Sequence, residues 1–233
     1  MLYIIGTPIG NLEDITLRAI SVLNQADLIL AEDTRVTKNL LDRYNIKKDV
    51  ISYHQHSKVQ KIDLIIKLLK EGKNLALVSD AGTPGINDPG SFLIKEALKE
   101  IPDLKIVPIP GPSAAVSALS ISGFSADSFV YLGFPPHKKG RQTFFINVGK
   151  IDKTVVFYES KHRIQKALEE LKELSQLGDR QIMVARELTK QFETIYRGTV
   201  DEIMAKLNFN KNNLLGEFVV VVEERRRRSN GSE

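Results

Sequence analysis

Short, almost wholly apolar runs separated by amphipathic stretches of about ten residues most constrain what this chain can fold into. Leu2–Ile5, Leu28–Ala31, Val50–Ser52, Leu75–Val78 and Ile106–Ile109 are each too short for a helix. Apart from Ser52 they are apolar at consecutive positions, as in strands covered on both faces. Between them, apolar residues recur at helical spacing over Ile15–Ala26, Thr37–Tyr44, Val59–Leu69 and Phe92–Leu98. In the third stretch the stripe is Ile62, Ile65, Ile66 and Leu69. We place Asp14 at the N-cap of the first helix. Strand–helix alternation of this kind predicts an α/β fold with a mostly parallel sheet and right-handed crossovers.

The pattern changes near residue 123. A helix over Ser113–Ser122 meets Gly123 and the polar Ser125–Ser128, followed by a strand at Phe129–Leu132 and a basic loop, Pro135–Arg141. Strands at Thr154–Tyr158, Gln181–Ala185, Thr194–Arg197 and Phe218–Glu223 follow, with helices at Arg163–Leu177 and Val200–Leu207. The expected organisation is an N-terminal α/β domain over 1–123, a second α/β domain with a mixed sheet over 124–224, and a basic tail over 225–233.

Composition narrows the class. The 233 residues include no cysteine, which removes disulfides, thiolate metal sites and cysteine nucleophiles. No apolar run approaches the roughly 20 residues that span a bilayer. Met1–Gly6 lacks the basic start of a signal peptide and reads as a strand. A cytosolic enzyme or binding protein is the expectation. Net charge is +4, but the last nine residues carry four arginines and one glutamate, leaving +1 for residues 1–224.

Four strand–helix connections carry more constraint than ordinary loops need. Ser79–Gly90 packs three glycines and two prolines around Asp80 and Asp88. Glycine allows close backbone approach and proline freezes the loop before any ligand arrives. The carboxyl end of a strand is where open α/β sheets bind ligands. Gly6–Leu12 has two glycines four apart, which does not make a dinucleotide fingerprint, and there is no Walker pattern. Pro108–Ala115 brings small residues to a helix start, and Ala31–Arg35 sets two acids, a hydroxyl and an arginine beyond a strand. His54 and His56 would share a strand face, but no third ligand accompanies them, and we expect no metal.

Taken together, these segments resemble the tetrapyrrole methylase superfamily of S-adenosylmethionine-dependent methyltransferases, over residues 2 to about 223. Within it the likeness is to the branch that methylates small-subunit ribosomal RNA. It rests on Asp80–Gly90, Gly6–Leu12, Ala31–Arg35, Tyr53–His56, Pro110–Ala114, Tyr158–Arg163, Arg186–Lys190 and Gly216–Val219. Lys161 stands where proline is usual, Ser57 where asparagine is usual, and the family's extra C-terminal segment is missing or replaced by the arginine tail. The resemblance implies two α/β lobes with the cofactor in the cleft between them. It further implies a homodimer acting in the cytoplasm on the 16S RNA or the 30S particle, away from any membrane. The implied reaction moves a methyl group to the ribose 2′-oxygen of a cytidine, with S-adenosylhomocysteine as product.

By position, Pro8, Ile9, Asp80, Gly82, Thr83, Ile86, Ser113, Ala114 and Tyr158 would line the cofactor site. A ribose hydroxyl needs a base, or a cation at its developing alkoxide. Asp33, Glu159 and Glu187 are the candidate bases, and Arg35, Arg163, Arg186 and Lys190 the candidate cations. We place Glu187 and Lys190 near the acceptor and Asp33 and Arg35 at the rim. His137, Lys138, Lys139 and Arg141, with Arg163, are the expected RNA contacts. Rival readings are a superfamily enzyme acting on a tetrapyrrole or a protein, and a catalytically silent ribosome-binding protein.

Overall fold

The computed structural model describes residues 1–54, 59–175 and 177–225. His56, Ser57 and residues 226–233 of the basic tail lie outside the described residues. By their contacts, the residues form two compact units, Met1–Ser113 and Ala114–Glu233.

The first unit is a five-stranded, all-parallel sheet. Its strands are β1 (Leu2–Ile5), β2 (Leu28–Ala31), β3 (Val50–Ser52), β4 (Leu75–Val78) and β5 (Ile106–Ile109), in the spatial order β3-β2-β4-β1-β5. Helices α1 (Leu17–Gln25) and α2 (Thr34–Arg43) cover one face, packing on Ile5, Ile29, Ala31, Ala76, Val78 and Ile109. Helices α3 (Val59–Lys70) and α4 (Gly90–Glu100) cover the other, against Leu2, Ile4, Leu30, Leu75 and Leu77. Alternate residues of β4 thus serve opposite cores, which is why the strand is apolar at every position. The N-cap of α1 is Thr16, whose hydroxyl accepts from the Ala19 amide at 3.1 Å. Asp14 instead closes a 3-10 turn at Leu12–Asp14, so the expected Asp14 cap is corrected by two residues.

The second unit is a mixed sheet in the order β6-β7-β10-β8-β9. Its strands are β6 (Phe129–Tyr131), β7 (Thr154–Ser160), β8 (Ile182–Arg186), β9 (Thr194–Gly198) and β10 (Glu217–Val222). Only the β6–β7 pair is parallel. Three helices, α6 (Arg141–Lys150), α7 (Ile164–Lys172) and α8 (Val200–Asn208), bury one face around Phe145, Phe157, Leu168, Ile203 and Phe218. Helix α5 (Ala114–Ser122) packs on β10 and β7. The expected boundary near residue 123 put α5 in the first lobe, whereas its contacts group it with the second unit.

Helix α6 has no counterpart in the sequence reading, which ended a basic loop at Arg141. Its buried residues are Arg141, Phe145, Val148 and Gly149, a regular stripe with a charge at one end and no side chain at the other. No helix among the described residues is long and apolar enough to cross a membrane.

Candidate active site

The four connections singled out in the sequence all leave the carboxyl edge of the parallel sheet, after β1, β2, β4 and β5. Backbone contacts tie them together. A Cβ on Gly6 would sit 2.8 Å from the Gly111 backbone, so the β1 and β5 loops touch main chain to main chain. Thr7 and Gly82 exchange amide–carbonyl bonds of 2.9 and 3.1 Å, linking the loops after β1 and β4. The Thr7 hydroxyl, 3% exposed, also donates to the Ser79 carbonyl at 3.0 Å. The loop after β2 joins through the Asp33 amide, which donates to Asp80 Oδ1 at 2.9 Å. Within the β4 loop, Asp88 Oδ1 accepts from the Gly85 and Gly90 amides, each at 2.7 Å. The edge is therefore a braced platform of backbone groups rather than a set of independent loops.

Carboxylates dominate its electrostatics, with the Arg35 guanidinium paired to Asp33 at 2.6 Å. Partial burial pushes the Glu32 carboxyl above the ordinary range, and the charges of Asp80, Asp88 and Asp33 add to the rise. Burial also raises the Tyr53 phenol, helped by Asp88, and its hydroxyl donates to the Pro89 carbonyl at 3.3 Å. A cation bound here would relieve the strain on Glu32. The sequence placed Glu32 in a notable segment without giving it a role, because its value depends on which loops fold beside it.

Pro8 and Gly82 are buried, Ile9, Thr83 and Ser113 are half-buried, and Asp80 and Ile86 are exposed on or beside this edge. Asp33 is the N-cap of α2, accepting from the Arg35 amide at 2.8 Å and from its guanidinium at 2.6 Å. That guanidinium, then the backbone bonds, holds the carboxyl at about 2. A base so weak is far from the value that suits proton abstraction at neutral pH. Asp33 and Arg35 are thus a capping pair. Arg35 also lines a concavity of about 830 Å³ along α2, shared with Lys38, Asp42, Lys47 and Lys48.

In the second unit, the Tyr158 hydroxyl accepts from the Ala115 amide at 3.0 Å, which brings Tyr158 to the start of α5 beside Ala114. Its ring packs edge-on against Tyr131 and Phe134, with centroids 5.2 and 5.4 Å away. Glu187 and Lys190 are joined at 3.1 Å, and Lys190 also reaches Glu217 at 2.9 Å. Burial alone would raise the Glu187 carboxyl, but the Glu217 amide and the Lys190 ammonium outweigh it and lower it. Burial alone would lower Lys190, but Glu217 and Glu187 outweigh it and raise it. Glu187 and Thr189 both hold left-handed backbone, at φ 53° and 64°, a conformation that costs side-chain-bearing residues about 1–3 kcal/mol.

Two of the expected RNA contacts, Arg141 and Arg163, are paired inside the unit. Arg141 is 4% exposed, and its guanidinium pairs with Glu159 at 3.1 Å and Glu170 at 2.8 Å. Arg163 pairs with the other Glu159 oxygen at 3.0 Å and donates to the Pro135 carbonyl at 3.2 Å. Their charges are spent inside the unit. Glu159 is completely buried between them, so it is no candidate base. Arg186, bonded to the Leu215 and Phe192 carbonyls, likewise holds loops. By contrast, His137, Lys138 and Lys139 are exposed.

Such an edge and such a sheet order define a class. The chain belongs to the tetrapyrrole (corrin/porphyrin) methylases, whose family model matches residues 1–204. More particularly, it is 45% identical to a ribosomal RNA small subunit methyltransferase I of Thermotoga maritima, over 95% of this chain and 97% of that protein. Identity to the protein of that name from Escherichia coli O157:H7 is 46%, over 95% of this chain and 77% of the relative. Among solved structures, a diphthine synthase superposes with a TM-score of 0.71 at 17% identity, covering 95% of this chain and 89% of the other. A cobalt precorrin-4 methyltransferase gives 0.67 at 18%, covering 95% and 94%. These two share the fold.

Proposed function

We propose that this protein transfers a methyl group from S-adenosylmethionine to the ribose 2′-oxygen of a cytidine in 16S ribosomal RNA. The observation that carries the reading is near-full-length identity of about 45% to enzymes named for small-subunit ribosomal RNA methylation. The carboxyl edge of the first unit fits the cofactor. It offers backbone donors and acceptors in braced loops, and an acidic surround that favours a cationic sulfonium over the neutral product. When bound, the cofactor supplies an activated methyl group. Pro8, Ile9, Gly82, Thr83 and Ile86 are the residues of that edge we assign to it, with Asp80 and Glu32 providing charge. Ser113, Ala114 and Tyr158 are assigned by the same reading.

The chain's remaining task is alignment, together with charge stabilisation at the acceptor. Holding the acceptor oxygen on line with the methyl group is worth ~7–11 kcal/mol when the geometry is right. We assign Lys190 to the developing alkoxide; the hydroxyl proton passes to water, since Asp33, Glu159 and Glu187 are not suited to take it. The raised pKa of Lys190 keeps it a cation at neutral pH, and Glu187 and Glu217 fix its direction. Glu187, with its lowered carboxyl, is better suited to orienting Lys190 than to accepting the proton. A homodimer working in the cytoplasm completes the reading.

The test uses labelled cofactor with small ribosomal subunits that lack the modification, and a porphyrinogen as the competing acceptor. Label entering one ribose of the 16S RNA and not the porphyrinogen is the expected result. In single-turnover experiments Lys190→Ala should slow methyl transfer about 100-fold, with cofactor affinity little changed, since one electrostatic donor is typically worth that much. A near-native single-turnover rate in Lys190→Ala would remove it from the acceptor site.

A further inference from the structure

We infer that Phe134 and the turn following it form a preorganised contact for single-stranded RNA, with the Phe134 ring stacking on a base and Lys138 and Lys139 on the flanking phosphates. The inference rests on the ribosomal RNA reading above and names the part of the second unit that holds the substrate.

Three observations meet in this segment. First, Phe134 is 50% exposed although its neighbours Gly133 and Pro135 are buried. Its ring is not loose. It meets Tyr158 edge-to-face at 5.4 Å, and Tyr158 meets Tyr131 at 5.2 Å, so the ring is held by an aromatic cluster while half of the residue stays open. The Tyr158 amide donates to the Gly133 carbonyl at 2.8 Å, which fixes the backbone at the base of the ring. An exposed aromatic ring in a fixed direction is what an unstacked base needs, because every base offers a π-face.

Second, the turn from Pro135 to Gly140 is pinned from beneath. The Pro135 carbonyl accepts from Arg163 at 3.2 Å and the Pro136 carbonyl from Arg141 at 3.4 Å. Both arginines are locked on the buried Glu159, and the Arg141 amide donates to the Lys138 carbonyl at 3.2 Å. Gly140, at φ 86°, turns the chain into α6. Two consecutive prolines, the buried Arg141 guanidinium and the half-buried Arg163 guanidinium leave little backbone freedom to lose on binding, and such preorganisation converts contacts into affinity. Arg141, Arg163 and Glu159 are therefore positioning residues for this turn.

Third, the tip carries His137, Lys138 and Lys139, all exposed, and among the described residues no carboxylate pairs with either lysine. Cations beside an exposed ring are the combination that tracks a single strand.

The experiment measures methylation of unmodified small subunits and, separately, calorimetric affinity for S-adenosylmethionine. Loss of one base stack costs roughly 5- to 150-fold in affinity. Phe134→Ala should therefore raise KM for small subunits at least fivefold while cofactor affinity moves less than twofold. Phe134→Trp should keep KM within about threefold. Phe134→Leu, which retains apolar bulk, should behave like the alanine variant and so separates stacking from packing. Lys138→Ala with Lys139→Ala should weaken binding more at 50 mM than at 200 mM salt. An unchanged KM in Phe134→Ala, or full function in Phe134→Leu, would overturn the inference while leaving the methyltransferase reading intact. If the unaltered protein methylates no ribosomal RNA yet binds the cofactor, that reading falls and this inference with it.

Discussion

Gly6 and Gly111 set the distance between two strand ends, and neither position admits a methyl group without moving main chain. Glu32, beside Asp33, Asp80 and Asp88, shows the opposite kind of constraint, one of charge. Its folded-state pKa is raised, so the folded protein holds the proton more tightly than the unfolded chain. Below the ordinary glutamate value of 4.5 both states are protonated and the residue is neutral to stability. As pH climbs past that value towards the raised one, the unfolded state ionises first and stability is lost. Above the raised value the penalty is complete. Glu32→Gln should therefore raise the thermal midpoint of the cofactor-free protein at pH 7 by about 1–3 °C, a modest figure because water screens the partly exposed cluster, with no difference below pH 4. The same variant should lose about three- to tenfold of the preference for S-adenosylmethionine over its neutral product. A midpoint lower than wild type at pH 7, or an unchanged preference, would show that the carboxylates do not act as one acidic field. Glycine and proline positions were legible in the sequence because those residues act through their own backbone. The state of Glu32 was not, since it follows from neighbours 48 and 56 positions away, Asp80 and Asp88.

Elements in the first unit were read almost to the residue. The five strands of the parallel sheet match the apolar runs, because the central strands β1, β2 and β4 are covered on both faces and have no polar positions to blur their ends. The second unit was less legible. Helix α7 stops at Lys172 and not at Leu177, and α6 went unseen. Its first turn begins with Arg141, which in sequence adds to a run of cations and in space is buried against Glu159, Glu170 and the Phe145 ring. The cluster of Arg141, Arg163, Glu159 and Glu170 is thus what secures the start of α6 and the carboxyl end of β7. Replacing one member of a buried set leaves the other charges uncompensated, usually at 3–5 kcal/mol. Glu159→Ala should cost about 3 kcal/mol, the lower end, since Glu170 still pairs with Arg141. In a protein of this size that is a fall of roughly 6–12 °C in Tm. Glu159→Gln keeps hydrogen-bond acceptance and should lose less. Equal stability of Glu159→Ala and wild type in urea titrations would mean that the cluster does not hold these two elements.

For the whole molecule, charge decides how substrate binding responds to salt. Residues 1–224 carry a net charge of only +1, and the arginines that looked available in the second unit are committed internally. Arg225, the first of the terminal run, pairs with Asp152 at 3.4 Å. Recognition by a broad basic surface with six to ten phosphate contacts would lose 10³- to 10⁵-fold in affinity between 50 and 200 mM salt. Two lysines on one turn, each releasing about 0.7 counterions from a single strand, give a slope near −1.4 and a loss of only about sevenfold over that range. Shape and stacking must then supply the rest, and both are best satisfied where the RNA is already folded. The expected outcome is that KM for assembled small subunits rises by less than about tenfold between 50 and 200 mM salt, and that free 16S RNA competes poorly at either concentration. Affinity for free RNA that falls a thousandfold over this range would mean that residues 226–233, or a second copy of the chain, contribute most of the phosphate contacts. A chain ending at Glu224 separates those two sources, because only the first is removed with it.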